Sequence, residues 1–180
     1  MIGQATIRPG RAADIEAMQA LINGYARLDR MLSRDRAFLE RALGDFIVAD
    51  DASGFLGCCA LAPLTAELGE IRSLAVAPSA GGRGVGRGLV GACVAAARER
   101  GLRRVFALTL APEFFVKCGF TLISLARLPE KSTEECPVCP KRFACDEHAM
   151  LLHLDGSRPV PLASGEPIGY TKMMRPEITR

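Results

Sequence analysis

Two stretches of the chain combine residue types and spacings that can do chemistry. The first is Leu74-Ala75-Val76-Ala77-Pro78-Ser79-Ala80-Gly81-Gly82-Arg83-Gly84-Val85-Gly86-Arg87-Gly88-Leu89, with five glycines among residues 81–88. Without a Cβ, successive backbone N–H groups can turn toward one point. Val85, Leu89, Cys93 and Ala96 then repeat at helical spacing, so these N–H groups stand at a helix N-terminus, whose unpaired donors and partial positive charge favour an anion. Arg83 and Arg87 add charged donors at its flanks. A pyrophosphate is the ligand such a loop fits best, with a flexible turn bearing two solvated arginines as the plainer alternative. No GxxxxGK[ST] occurs, and a G-x-G-x-x-G reading from Gly82 or Gly84 lacks its third glycine.

The second stretch is Cys136-x2-Cys139-x5-Cys145-x2-His148, four soft ligands within 13 residues. That is enough for a tetrahedral zinc, and four protein ligands would make the metal structural. Reduced thiols in a surface flap are the competing reading. Cys58, Cys59, Cys93 and Cys118 fall in apolar strand or helix patterns and are expected to be buried small hydrophobes. With His148 and His153 as the only histidines, a Ser-His-Asp or Cys-His nucleophile is not expected.

The elements that must position the loop follow from periodicity and punctuation. A short strand, Ala5–Arg8, stops at Pro9-Gly10; a helix begins near Asp14 with Ile15, Met18, Leu21 and Ile22 as its apolar face and is expected to end at Gly24. A second helix is expected from about Arg34 to Leu43. The strand Phe46–Ala49, the turn 50–54 and the strand Phe55–Ala62 form an antiparallel hairpin. Glu67–Val76 is the strand entering the glycine loop, Val85–Arg100 the helix leaving it, and Val105–Leu110 the strand after that. Strand, helix and strand so close together imply one βαβ crossover. A short helix Pro112–Lys117, a strand Phe120–Leu125, a Cys- and Pro-bearing insert (128–148) and a strand Ala149–Leu154 complete the pattern. The expected fold is α+β, a central mixed sheet flanked by helices. Residues 1–155 are read as one domain and the Gly- and Pro-rich 156–180 as a peripheral tail.

Composition narrows the function classes. At 180 residues, 49% apolar and 24% charged, the chain suits one globular domain. Its net charge of +3 is too small to announce nucleic acid. No run of about 18 apolar residues occurs and the N-terminus lacks a signal-peptide core, so a soluble cytoplasmic protein without membrane or nucleic-acid partners is expected.

The glycine loop resembles the acetyl-CoA loop of the GNAT superfamily of N-acetyltransferases, Gln/Arg-x-x-Gly-x-Gly/Ala. The match is Gly81-Gly82-Arg83-Gly84-Val85-Gly86, with Gly81 where Gln or Arg is usual. The order of elements over residues 5–155 is also that of the superfamily. A narrower resemblance, to single-domain N-acetylglutamate synthases, rests on Glu70-Ile71-Arg72-Ser73-Leu74-Ala75-Val76, Phe106-Ala107-Leu108-Thr109, Phe114 to Phe120 and Leu128-Pro129-Glu130-Lys131 occurring in that order, with Met31 to Arg34 and Asp45 to Ala49 upstream.

The resemblance implies acetyl-CoA as cosubstrate, held by backbone groups of Leu74 and Val76 and by Gly81, Gly82, Arg83, Gly84, Val85, Gly86 and Arg87. It implies Glu70 as the base that deprotonates the amine, with Glu67 as runner-up. For L-glutamate, Arg72, Arg34 and Lys117 are the candidate carboxylate partners; Arg72 shares the strand face of Glu70 by the period of two. Phe115 stands where many GNAT enzymes carry a tyrosine acid, so water is expected to protonate the thiolate. Acetylation of another amine and a non-catalytic CoA-binding or zinc-knuckle module stay open as alternatives, and a homodimer is among the assemblies left open.

Overall fold

The computed structural model describes residues 5–174. By contacts the chain divides into two compact units: residues up to Ala62 with Glu70–Arg100, and Pro63–Gly69 with the residues from Gly101 onward.

The first unit carries the strands β1 (Thr6–Pro9), β2 (Phe46–Asp51), β3 (Gly54–Pro63) and most of β4 (Leu68–Val76), neighbouring one another in that order. β1 and β2 pair antiparallel with Ile7 opposite Ala49, and β2 and β3 pair antiparallel with Val48 opposite Cys58. The hairpin turn works as read: Asp51 Oδ1 accepts the Ser53 N–H at 2.8 Å and Gly54 takes φ +115°. Helix α1 (Ile15–Arg27) lays Ile15, Met18 and Ile22 on a core that includes Leu39, Phe46, Val48, Cys58, Ala60 and Ala75. It does not stop at Gly24. A mid-helix glycine costs about 1 kcal/mol, but Asn23 and Tyr25 beside it are both fastened by hydrogen bonds to distant backbone.

Helix α2 (Arg36–Arg41) is shorter than expected because Asp35 caps it, its Oδ1 accepting the Phe38 N–H at 2.7 Å. Helix α3 (Val85–Glu99) has the expected length and buries Val85, Leu89, Val90, Cys93, Val94 and Ala97.

The second unit is built on β5 (Arg104–Thr109), β6 (Thr121–Ile123) and β7 (His148–His153). β7 lies between the other two and pairs antiparallel with both, Phe106 opposite Leu151 and Leu122 opposite Met150. Helix α4 (Pro112–Lys117) buries Phe115, whose ring meets Phe114 and Phe120 edge-on, each at 5.3 Å. The insert carries the one-turn helix α5 (Pro129–Ser132) and a 3-10 turn, Cys136–Val138. The stretch expected at the periphery is fastened to this unit as far as it is described. Leu162 N–H donates to Leu122 O at 2.8 Å, Ser124 Oγ–H to Pro167 O at 3.0 Å, and Arg127 pairs with Glu166 at 2.7 Å. Tyr170 and Met173 of α6 (Tyr170–Met174) pack on the unit's core.

The order strand, helix, strand around the glycine loop is therefore present as β4, α3 and β5, in a mixed α/β fold with an antiparallel front half. Among the described residues no helix is long and apolar enough to cross a membrane.

Candidate active site

Strand β4 and the loop after it gather most of the expected site residues within the first unit. Glu70 is buried, 5% exposed, and Arg72 Nη1 stands 3.6 Å from Glu70 Oε2, so the two do share a strand face. The regular alternation ends one residue later. Ser73 takes φ +53°, a left-handed conformation that costs a non-glycine residue on the order of 1–3 kcal/mol and kinks the strand. Its carbonyl and that of Arg72 each lie 3.8 Å from a buried thiol, Cys58 and Cys59 respectively. Beyond the kink Leu74 and Val76 are half-buried.

β3 runs very close to this segment. A Cβ on Gly57 would lie 2.6 Å from Ala75 O and 3.2 Å from Val76 Cα. Glycine is thus required there by close backbone approach.

Two side chains that sequence reasoning left out hold the same strand and its surroundings. Tyr25 Oη–H donates to Val76 O at 2.7 Å. Tyr25 continues the Ile15, Met18, Ile22 series at helical spacing, a signal that the expected stop at Gly24 concealed. Asn23 grips the Arg34 backbone from both sides: its Nδ2 donates to Arg34 O and its Oδ1 accepts the Arg34 N–H, each at 2.9 Å. The Arg34 guanidinium in turn lies over the Phe38 ring, 4.4 Å from the centroid, and that of Arg72 lies 5.5 Å from the same centroid. Arg34 and Arg72 thus both meet Phe38, a ring expected on the helix's apolar side and not among the expected site residues.

The glycine loop has the geometry of an anion site. A 3-10 turn, Pro78–Ala80, leads into Gly82 at φ +74° and Gly84 at φ +80°. Gly84 is the N-cap of α3 and has no side chain with which to occupy the helix's first N–H groups. Those donors belong to the turn that begins at Val85, Gly86 and Arg87. Gly81, Gly82, Gly84 and Arg87 are exposed, and Arg83 is half-buried. Arg83 is more than a flanking cation: its Nη2 meets Asp51 Oδ2 at 2.6 Å, and this pairing with the help of Ser53 holds the Asp51 carboxyl down at about 2.

The remaining candidates fall in the second unit. Glu67 is exposed and paired with Arg103 at 3.6 Å, the behaviour of a surface carboxylate. Lys117 is exposed in the last turn of α4, where a cation complements the helix C-terminus.

The zinc expectation is corrected. Among the described residues no group of three or more His, Cys, Asp or Glu side chains is placed to hold a metal ion. Cys136 is buried beside Leu68, Leu125 and Leu128, and burial pushes its thiol up to about 12. The Cys145 N–H is bonded to Thr171 Oγ1 at 2.7 Å, and His148 sits in the β7 ladder opposite Thr109. Cys136 thus lies in the 3-10 turn, Cys139 and Cys145 in the stretch after it, and His148 at the start of β7. Cys58, Cys59 and Cys93 are fully buried as expected, whereas Cys118 is half-buried after α4.

Residues 42–122 match the family model described as "Acetyltransferase (GNAT) domain". The chain is 41% identical over 145 residues to an uncharacterized N-acetyltransferase of Chlorobaculum tepidum, covering 81% of this chain and 94% of that protein. It is 38% identical over 120 residues to an amino-acid acetyltransferase of Mycobacterium tuberculosis, covering 65% and 68%. Among solved structures it is similar to N-acetylglutamate synthase from Neisseria gonorrhoeae complexed with coenzyme A and N-acetyl-glutamate. There the TM-score is 0.76 and the identity 29%, over 86% of this chain and 36% of that longer one. A glycine loop capping α3, a kinked strand before it and these relatives converge: the chain belongs to the GNAT acetyltransferases and is an N-acetyltransferase.

Proposed function

We propose that the protein transfers acetyl from acetyl-CoA to the α-amine of L-glutamate, the reaction of an N-acetylglutamate synthase. The observation that carries the reading is the run of β4 into the glycine loop: a buried carboxylate, Glu70, and a guanidinium, Arg72, 3.6 Å apart on the strand that delivers an uncapped helix N-terminus. Relatives named amino-acid acetyltransferase and N-acetylglutamate synthase support the choice of amine.

In this reading the N–H groups around Gly82, Gly84, Val85, Gly86 and Arg87 bind the cosubstrate's pyrophosphate, with Arg83 supplying positive charge and Gly81 closing the turn. Backbone groups of Leu74 and Val76 align the acetyl-pantetheine arm. Arg34 and Arg72 take the carboxylates of glutamate. Glu70, acting through water, accepts a proton from the ammonium group, because only the neutral amine carries a lone pair. The amine nitrogen bonds to the thioester carbon, the C–S bond breaks, and the nitrogen's second proton passes through water to the departing thiolate, leaving the amide and the free thiol. An ordinary thiol pKa of about 8.5 makes that last protonation undemanding.

The test is thiol release from acetyl-CoA with a panel of amines, on wild type and Glu70→Gln. Turnover with L-glutamate and a loss of roughly 10²–10⁴-fold in kcat for the variant are expected. Turnover confined to amines without a carboxylate refutes the substrate assignment. An unchanged pH–rate profile in Glu70→Gln removes that residue from the mechanism.

A further inference from the structure

We propose that Phe38 sets substrate specificity: its ring holds the guanidinium groups of Arg34 and Arg72 at a fixed separation, and that separation selects an amine bearing two carboxylates at glutamate length. The proposal rests on the assignment of an acidic amino acid as substrate. It adds a positioning residue that acts through its two neighbours.

The two cations come from parts of the first unit far apart in sequence. Arg34 precedes α2 and Arg72 lies on β4. Two like charges drawn to one small region repel each other, so something must hold them there. The face of an aromatic ring carries negative charge density and attracts guanidinium groups. Phe38 meets both, at 4.4 Å and 5.5 Å from its centroid.

The ring is itself anchored. Its backbone N–H is bonded to the Asp35 cap at 2.7 Å, and its side chain packs on the cluster of Ile22, Leu39 and Phe46. Each arginine has a second tether. Asn23 clamps the Arg34 backbone, and Glu70 stands 3.6 Å from the Arg72 guanidinium. The ring face and these contacts place both guanidiniums in the ligand-free chain. A rigid pair of guanidiniums reads the distance between two carboxylates, and aspartate, shorter by one methylene, cannot span what glutamate spans. A leucine would fill the space of the ring without attracting either cation.

The experiment is steady-state kinetics of the full chain with acetyl-CoA and either L-glutamate or L-aspartate, on wild type, Phe38→Leu, Phe38→Tyr and Phe38→Trp. Phe38→Leu is expected to raise the glutamate KM roughly tenfold, to leave the acetyl-CoA KM near wild type, and to lower the glutamate-over-aspartate ratio of kcat/KM. Phe38→Tyr keeps the ring face and restores both values. Phe38→Trp widens the platform and moves the preference toward the next longer diacid, 2-aminoadipate, which keeps the proposal testable if the leucine variant folds poorly. An unchanged glutamate KM and order of preference in the leucine and tryptophan variants overturns the proposal, as does an equal rise in both substrates' KM. Wild type that acetylates none of these diacids overturns the substrate assignment and this proposal together. Wild type active on glutamate with indifferent Phe38 variants overturns the proposal alone.

Discussion

Gly57→Ala adds one methyl group to β3 at the point where it faces the end of β4. The new Cβ would lie 2.6 Å from Ala75 O, whereas ordinary contact begins at 3.4 Å, so the strands must part by about 0.8 Å. The atom it meets is backbone, which cannot rotate aside as a side chain can. Overpacking of this kind costs about 1–3 kcal/mol. Loss of glycine's freedom in the unfolded chain returns about 0.5–1 kcal/mol. The net is a destabilisation of up to about 2.5 kcal/mol, or up to about 10 °C in Tm for a chain of this size. Because Ala75 and Val76 follow the Ser73 kink on the segment assigned to the acetyl-pantetheine arm, kcat/KM for acetyl-CoA is expected to fall by more than the stability loss implies. A shift approaching 1 Å at a reacting centre can cost on the order of 100-fold. Gly91→Ala is the internal control. It lies within α3 with nothing near its would-be Cβ, and should stabilise by about 0.5–1 kcal/mol without altering the kinetics. Thermal melts and thiol-release kinetics on the two variants read both quantities. Equal Tm and equal kcat/KM in Gly57→Ala and wild type would refute the close-approach argument.

Two further outcomes are expected. Gly84→Ala meets no neighbour at its new Cβ but must adopt φ +80°; its cost is therefore conformational, about 1–2 kcal/mol, and calorimetric titration with coenzyme A should show weaker binding, an unchanged affinity counting against the loop as the phosphate site. Asp51 ionises at about 2 in the folded chain against an ordinary 3.8, so its pairing with Arg83 stabilises the fold fully above about pH 4 and loses that effect as pH falls toward 2. Asp51→Asn should flatten this part of the acid unfolding curve, and coincident acid limbs for variant and wild type would deny the pair any role.

The parts of the fold legible in the sequence were those with a strong local pattern. The amphipathic series of α3, the Asp51–Gly54 turn and the apolar runs of β2 and β3 each carry their own period, and each forms where read. The boundaries of α1 and α2 were not legible, because they depend on distant partners. Gly24 looks like a stop until Tyr25 reaches Val76 O, and Asp35 becomes a cap only where the chain after Arg34 is pinned by Asn23. The position of β7 between β5 and β6 was likewise a matter of tertiary pairing, without a local signal.

At the site, Glu70 and Arg72 could be placed on one face because strand alternation holds up to Arg72. The kink at Ser73 left no mark in residue type, serine being unremarkable in a strand. The pairing of Arg83 with Asp51 joins residues 32 positions apart, and spacing says nothing about such a contact. The cysteine cluster misled for a related reason: ligand spacing measures separation along the chain, while Thr171 and the β7 ladder decide where Cys145 and His148 stand.

The contact between Arg83 and Asp51 bears on how an incoming anion meets the loop. A long cationic side chain that waved freely in water would have to surrender its rotational freedom at the moment of capture. Here the turn of the β2–β3 hairpin, itself braced by Ser53, has already restrained it. If the loop takes the pyrophosphate as proposed, folding has settled that entropy in advance, and differences in affinity between related ligands should show up chiefly in how slowly they depart.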